Sequence, residues 1–323
     1  MKISEKMASR IPRMLDAGLL GALNATRFAA RFLPPRALTA AADGLGSVIY
    51  YTRAGAREYM LETMREALPD VKGEEELRRV ARRAFGAPFR AILDTVLFER
   101  HGDRIMEKLI LAKDTHTRYD AAMKTGGGMI VFSPHLGGIG ITFSVSARIG
   151  RLFTPLALSP WKTPFPRFLN ALAEISASLG CDPENPVFWT GMQTIPKVQE
   201  HLKRGGSVGI TFDMVGGTVM DFFGRPTAIA SGIGHFACDS GAPILAYCLK
   251  RYHDPLQYEL CYYGEVEYEL TGDRSADVRA ILGAVIRKGE EMIRDAPEQW
   301  IMWFALKSWR ARARKILEQA GPA

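Results

Sequence analysis

The sequence predicts an α/β protein in which helices flank a mostly parallel central sheet, preceded by a helical N-terminal region. Residues 1 to about 123 place apolar side chains at the 3.6-residue period of amphipathic helices. After Thr125 the pattern changes to short apolar runs that alternate with helical segments, which is typical of a parallel α/β sheet. With 323 residues, 47% of them hydrophobic, the chain is long enough to bury a full core.

The first segment that predicts a helix is Ile11–Leu33, which the pair Pro34-Pro35 must stop. Its charged residues form one stripe, and its leucines and phenylalanines lie mostly on the other side, a pattern typical of a helix in a membrane interface. An amphipathic helix packed on its own protein gives the same pattern, so both interpretations stay open. No run of 18 or more uncharged apolar residues exists, and we therefore predict no transmembrane helix.

Two further helices are predicted before residue 123. Glu58–Leu68 repeats apolar residues on one face and ends at Pro69-Asp70. Glu74–Arg100 continues the same period, and Pro88 is predicted to kink or split it because proline removes a helical hydrogen bond.

The remainder of the chain predicts strands and helices in alternation. The apolar runs that predict strands are Met129–Phe132, Leu152–Leu158, Ser207–Phe212, Ile244–Leu249 and Tyr258–Val266. The segments that predict helices are Pro166–Leu179, Met192–Lys203, Ile233–Ser240 and Asp277–Arg294.

The positive charge of the chain is concentrated at its two ends. The net charge is +7, with ten Lys/Arg against six Asp/Glu in residues 1–66 and five against one in residues 304–323. Basic ends indicate anionic partners, such as an anionic membrane surface or an acidic carrier protein. No recognised nucleic-acid-binding motif occurs, so we expect no nucleic acid as a partner.

The cysteines indicate neither a disulfide framework nor a metal site. Cys181, Cys238, Cys248 and Cys261 have no metal-ligand spacing and are too few to staple a chain of this length. We expect them to be reduced, as in the cytosol, and we predict no metal and no cofactor.

A candidate catalytic residue follows the first predicted strand directly. The segment Ser133-Pro134-His135-Leu136-Gly137-Gly138 begins where Met129–Phe132 ends, and ligands of α/β sheets bind beyond the carboxyl ends of strands. Imidazole is suited to proton transfer near neutral pH, so His135 is a candidate general base. Gly137 and Gly138 would let backbone amides approach a substrate closely.

Five motifs in order resemble the bacterial lipid A biosynthesis acyltransferases, a family within the glycerolipid and lysophospholipid acyltransferase superfamily. The resemblance covers about residues 50–310. No single motif is specific for the family, but the occurrence of all five in the same order is. The motifs are Met60–Asp70, Gly127–Gly137 with His135, Phe212-Asp213-Met214, Phe222-Phe223-Gly224 with the glycines up to Gly241-Ala242-Pro243-Ile244, and Ala296-Pro297-Glu298-Gln299-Trp300.

The resemblance implies a catalytic His that is followed five positions later by Glu or Asp, and this chain departs from that pattern. The fifth position after His135 is Gly140, and a family Arg before a Pro is replaced by Ser159. A carboxylate from elsewhere could orient the imidazole, with Asp213 the first choice and Asp239 a weaker one. His135 could also work without an orienting acid, or the chain could have kept only lipid or acyl binding.

The predicted substrate-binding set surrounds these motifs. Lys162 and Arg167 could supply the charge that the missing Arg leaves open, and Arg225 could bind a phosphate through its planar guanidinium. The alternative is that Lys162 and Arg167 are solvated loop charges and that Arg225 is a surface turn residue. The complete set is Ser133, Gly137, Gly138, Ser159, Lys162, Arg167, Phe223, Gly224 and Arg225.

Together, the residues and the resemblance predict a peripheral acyltransferase at the cytoplasmic face of the inner membrane. It would move an acyl group from a thioester of acyl carrier protein or coenzyme A to a hydroxyl or amine of an amphiphilic lipid or glycolipid, with His135 and Asp213 as catalytic residues. The alternatives are a lipid- or acyl-binding protein on the same fold and a transferase of a secondary pathway that makes a pigment or glycolipid. We expect a membrane-associating region over 1–50, an acyltransferase-like α/β domain over 51–310 and a basic tail over 311–323.

Overall fold

A computed structural model of the protein describes residues 10–112, 119–121, 128–179, 187–191 and 193–320. Thr125, Gly127, Cys181 and Met192, which are named in the sequence-based predictions above, lie outside the described residues. The observed architecture confirms the predicted class, a mixed α/β fold with a mostly parallel central sheet and a helical N-terminal region.

Among the residues that the structure describes, the N-terminal region contains four helices: α1 (Arg10–Ala29), α2 (Pro35–Thr52), α3 (Ala54–Ala67) and α4 (Glu74–Glu107). Pro35 is the first residue of α2, where a helix tolerates the missing N–H. In the described parts of the chain, every helix is too short or too polar to cross a bilayer.

Helix α4 corrects the prediction that Pro88 interrupts this segment. The helix runs through Pro88, and its non-helical residue is instead His101. Near Pro88, α2 and α4 cross so closely that a Cβ on Gly46 would lie 2.4 Å from the backbone nitrogen of Gly86. This packing holds the backbone helical despite the hydrogen bond that proline removes.

In the described residues the central sheet has seven strands: β1 (Ile110–Leu111), β2 (Met129–Ser133), β3 (Thr154–Ala157), β4 (Phe188–Trp189), β5 (Ser207–Thr211), β8 (Ile244–Arg251) and β9 (Tyr258–Glu265). Their order across the sheet is β1-β9-β8-β2-β5-β3-β4, and β9 runs antiparallel to β8. Val215–Phe222 (β6) and Arg225–Ile229 (β7) form a separate antiparallel hairpin. The helices of this part are α5 (Thr142–Arg148), α6 (Pro166–Ser178), α7 (Thr194–Lys203), α8 (Gly232–Ser240), α9 (Arg274–Asp295) and α10 (Leu306–Ala320).

The sheet is buried on both faces, which explains why its strands read as continuous apolar runs. Alternate residues of β2 enter two different hydrophobic clusters: Ile130 and Phe132 join one, and Met129 and Val131 join the other. Because side chains alternate across a strand, the two clusters lie on opposite faces of the sheet.

Helix α1 is docked on the body of the protein through a buried carboxylate. Asp16 is 3% exposed and accepts hydrogen bonds from the backbone amides of Arg167 and Phe168 at 3.3 and 3.0 Å. These amides belong to the first turn of α6, where a helix leaves N–H groups without intrahelical partners. The interpretation of α1 as a helix packed on its own protein is therefore correct for this face of the helix.

The close crossing of α2 and α4 can be tested by stability measurements. We expect Gly46→Ala to lower the free energy of unfolding by about 1–3 kcal/mol, because the new methyl group meets backbone atoms of α4. Gly44→Ala in the same helix is the matched control, since a Cβ there meets no atom within 4 Å and alanine favours helix by up to about 1 kcal/mol. Urea unfolding that shows Gly46→Ala to be as stable as the parent protein would contradict this packing.

Candidate active site

His135 and Asp213 occupy equivalent positions at one edge of the sheet. Strands β2 and β5 are parallel neighbours whose last residues, Ser133 and Thr211, are paired. His135 and Asp213 each lie two positions after the end of their strand. The carboxyl ends of parallel strands meet at the same edge, so this register brings the imidazole and the carboxylate together.

The carboxylate of Asp213 is fully buried and accepts three hydrogen bonds. Its Oδ1 lies 2.8 Å from His135 Nδ1, and its Oδ2 accepts from the His135 backbone N–H at 2.8 Å and from Trp300 Nε1 at 2.7 Å. Because a carboxylate only accepts, the neutral imidazole must donate from Nδ1. Nε2 is then the nitrogen that carries the free lone pair.

The surroundings make His135 a stronger base than an ordinary histidine. Burial of the ring disfavours the imidazolium, but the charge and the hydrogen bond of Asp213 outweigh this effect, so the pKa of His135 is raised above its usual value. The side chain is 22% exposed, which leaves the ring accessible from one side.

The loop that carries His135 is held by the segment after α9. The His135 carbonyl accepts from the Ile301 amide at 3.0 Å, and the Gly137 amide donates to the Gln299 carbonyl at 3.2 Å. Gly137 has φ +58°, and a Cβ there would lie 2.1 Å from the Leu249 carbonyl oxygen. Glycine is therefore required for the backbone conformation and for close packing against β8.

A buried ion pair supports this loop from the side of β8. Arg251 contacts Asp94 of α4 at 2.5 Å, with 7% and 1% of the two side chains exposed. The same guanidinium donates to the Gly137 carbonyl at 2.5 Å, and Tyr258 donates to Asp94 at 2.8 Å. The carboxylate thus has two donors, which is the condition under which a buried charge is tolerated.

A mostly apolar cavity of about 500 Å³ opens beside His135. Ligand pockets of this kind are mostly apolar, with a few polar groups that fix orientation. Apart from His135, the polar side chains that line it are the hydroxyls of Thr190, Thr194 and Thr211. Apolar lining residues include Phe143, Leu156, Leu158, Ile195, Ile210, Phe212, Met214, Val215, Ile233 and Phe236.

Gly140 lies against helix α4. It occupies the position at which the family that the motifs resemble has a carboxylate after the histidine. A Cβ at Gly140 would approach the hydroxyl of Thr95 to 2.7 Å, and Thr95 is buried. A side chain at position 140 would therefore displace the Thr95 hydroxyl, whereas Asp213 supplies a carboxylate at His135 from another strand.

Asp239, the weaker candidate for the orienting acid, is engaged elsewhere. Its two oxygens each accept from Arg274 at 2.9 Å, and Gln199 donates to Oδ2 at 2.9 Å. The pKa of Asp239 is lowered, first by the Arg274 hydrogen bonds. It therefore belongs to an ion pair between α8 and α9.

The predicted substrate-binding residues near β2 are occupied by contacts within the protein. The Ser133 hydroxyl donates to the Pro134 carbonyl at 2.7 Å. The amide of Gly138 donates to the Leu249 carbonyl at 2.7 Å, as the Gly137 amide does to Gln299. The Ser133 hydroxyl and the amides of Gly137 and Gly138 thus fix the loop that carries His135.

The residues after β3 lie closer to the cavity. The Ser159 amide donates to the Thr190 hydroxyl at 3.4 Å, and Lys162 Nζ donates to the Thr190 carbonyl at 3.0 Å. Since Thr190 lines the cavity, Lys162 places a cation beside its wall. Arg167 is exposed in the first turn of α6, where its amide contacts Asp16.

Phe223, Gly224 and Arg225 are placed in the turn of the β6–β7 hairpin. Phe223 and Gly224 have φ values of +52° and +68°, as a two-residue type I′ turn requires. Phe223 is buried and stacks on Trp303 with centroids 5.7 Å apart, while Arg225 forms an ion pair with Glu66. The structure therefore places these three residues in a hairpin that packs under the site.

Trp300, Gln299 and Arg251 are site residues that the sequence analysis did not identify. Trp300 packs edge-to-face on Phe222 and on Trp303, with centroids 5.8 and 4.7 Å apart, and this cluster fixes its indole N–H toward Asp213. The closing motif that contains Gln299 and Trp300 was the available signal. Arg251 had no signal, because its partner Asp94 is 157 residues away in the sequence.

Comparison with known proteins gives one family match. Residues 6–310 match the family described as bacterial lipid A biosynthesis acyltransferase, which covers nearly the whole chain and confirms the resemblance seen in the motifs. No curated protein matches the chain.

The role of Asp213 in setting the basicity of His135 can be measured by NMR titration. We expect Asp213→Asn to lower the pKa of His135, because the carboxylate that raises it is removed while the burial that lowers it remains. His101, which lies in α4, serves as the internal control for the titration. A His135 titration curve that is the same in both proteins would show that Asp213 does not set its basicity.

Proposed function

Because the chain belongs to the bacterial lipid A biosynthesis acyltransferase family and is an acyltransferase that acts on a lipid acceptor, we propose that His135 is its general base and that the donor is an acyl thioester. The hydrogen bond between His135 Nδ1 and Asp213 is the observation that carries this proposal. Because Nδ1 is engaged, Nε2 is the nitrogen that can accept a proton from the substrate. His135 lines the apolar cavity.

In the proposed reaction, His135 Nε2 takes the proton of an acceptor hydroxyl or amine, and the oxygen or nitrogen attacks the thioester carbonyl carbon. The tetrahedral intermediate collapses when the carbon–sulfur bond breaks, and the thiolate takes the proton from the imidazolium. Asp213 holds the tautomer and stabilises the imidazolium while it exists, which is the division of roles in hydrolase triads. No covalent bond to the enzyme is required.

The apolar cavity would hold the acyl chain of the donor. Its volume of about 500 Å³ and its aliphatic and aromatic lining suit a fatty acyl group rather than a polar one. Lys162, which reaches the cavity wall at Thr190, would lie near the phosphate-bearing arm of acyl carrier protein or coenzyme A. Both donors carry this arm, so the proposal includes either.

We further propose that the enzyme binds peripherally to an anionic membrane surface, at the cytoplasmic face of the inner membrane. At the C-terminal end of α1 and in the turn that follows it, large apolar side chains are exposed, with Phe28 at 61% and Phe32 at 72%, and the exposed cation Arg31 lies between them in the sequence. Trp161 is 73% exposed and lies six residues before Arg167, whose amide binds Asp16 of α1. These exposed aromatic side chains support a lipid-facing surface near the contact between α1 and α6.

The general-base proposal predicts the activities of two variants and one control. We expect His135→Ala to abolish acyl transfer and Asp213→Asn to slow it by on the order of 10⁴-fold, by analogy with triad enzymes in which the orienting acid becomes an amide. Asp239→Asn is the matched control, because that carboxylate pairs with Arg274 away from the cavity. Transfer of a labelled acyl group from carrier protein and from coenzyme A into a bacterial lipid extract measures both the rate and the donor preference.

Two results would contradict the proposal in different ways. Full activity of His135→Ala at equal folded concentration would remove His135 as the base. Tight binding of acyl donor without transfer by the parent protein would favour the alternative of a lipid- or acyl-binding protein.

The membrane proposal predicts a salt-sensitive partition onto anionic vesicles. We expect Phe28→Ser with Phe32→Ser to weaken partition strongly, since both rings are exposed, and added salt to weaken it further, since each basic residue near the surface contributes roughly 1 kcal/mol. Leu270→Ser is the control, because Leu270 is 58% exposed outside α1. Vesicle co-sedimentation in which the double variant binds like the parent would refute the role of α1.

A further inference from the structure

A second cavity, which we call the arginine cleft, lies between α2, α4 and the turn that joins β8 to β9. Its volume is about 880 Å³, and it shares no lining residue with the cavity at His135. Its cationic lining residues are Arg36, Arg82, Arg83, Arg90 and Arg251. The acidic residues that line it are Asp43 and Glu298, so positive charge predominates.

Most of this charge is not neutralised within the protein. Arg251 is paired with Asp94, and Arg90 lies 3.2 Å from Asp43. Arg36, Arg82 and Arg83 have no carboxylate partner within 4 Å among the residues that the structure describes, and all three are exposed. Cations gathered around a concave surface repel one another, and an anion in the cleft would relieve this repulsion.

Arg90 provides a second, independent sign of a missing partner. Its side chain is 15% exposed, and its Nε is a buried atom without a hydrogen-bond partner. A buried donor that is left unsatisfied is destabilising. Arg90 is one of the residues that line the cleft.

We propose that the arginine cleft binds a phosphate group, carried either by a small soluble molecule or by a lipid headgroup. Guanidinium groups match phosphate oxygens in a bidentate way, and the cleft presents them from both α2 and α4. Hydroxyls of Ser47 and Tyr252 also line it. The inference goes beyond the proposed acyl transfer and does not depend on His135 being its base.

The cleft lies directly behind the loop that carries His135. Arg251 and Gln299, which line the cleft, are the residues that hold the carbonyl and the amide of Gly137. A phosphate bound there would thus be separated from the His135 cavity by one loop. This separation makes the two sites distinguishable by substitution.

Binding of inorganic pyrophosphate to the full chain tests the proposal by calorimetry at constant ionic strength. We expect Arg36→Gln combined with Arg83→Gln to weaken pyrophosphate binding at least tenfold. Arg104→Gln is the matched control, because Arg104 is an exposed arginine of α4 that does not line the cleft. His135→Ala should bind like the parent, so a failure of the proposed base would leave this result unchanged.

Vesicles that contain phosphatidic acid, compared with phosphatidylcholine alone, distinguish the two sources of phosphate. If the Arg36→Gln, Arg83→Gln variant no longer binds the vesicles with phosphatidic acid, the phosphate is that of a lipid headgroup. If the variant loses pyrophosphate binding but binds these vesicles like the parent, the phosphate is that of a soluble molecule. The proposal is overturned if the variant binds both probes as tightly as the parent at equal thermal stability, or if the parent binds neither.

Discussion

The buried carboxylate of Asp213 is the group on which the arrangement of the site depends. Its three hydrogen bonds join segments that are far apart in the sequence: the loop after β2, the end of β5 and the turn at Trp300. An isolated carboxylate in this position would be strongly destabilising, since it has no contact with water. The three donors make it tolerable, and in return the carboxylate fixes the tautomer and the orientation of His135.

The features around this carboxylate form one supporting structure. The hairpin turn at Phe223 and the aromatic rings of Phe222 and Trp303 hold the indole of Trp300. Arg251 and Gln299 hold the His135 loop from the other side. At position 140 a Cβ would meet the Thr95 hydroxyl of α4, and the carboxylate at His135 comes from Asp213 instead. We propose that Asp213 takes the place of the usual family acid.

Most of the fold is predictable from the sequence because hydrophobic periodicity and chain breaks are local signals. The strand at Met129 and the helix at Pro166 were predicted within one residue of their observed ends. Asp213 was identified as the first choice for the orienting acid because it follows a neighbouring strand. Contacts such as Arg251 with Asp94 were not predictable, since they depend on which helix packs over which strand end. The continuity of α4 through Pro88 likewise follows from tertiary packing at Gly46.

The central claim is that Asp213 replaces the missing family acid and raises the basicity of His135. The most direct measurement is the dependence of kcat/KM for acyl transfer on pH, in the parent and in Asp213→Asn. A base must be unprotonated to act, so activity falls as the pH drops through the pKa of His135, and a raised pKa places this fall at higher pH. The account predicts that Asp213→Asn moves the fall to lower pH as well as reducing the maximum rate. A fall at the same pH in both proteins would contradict it.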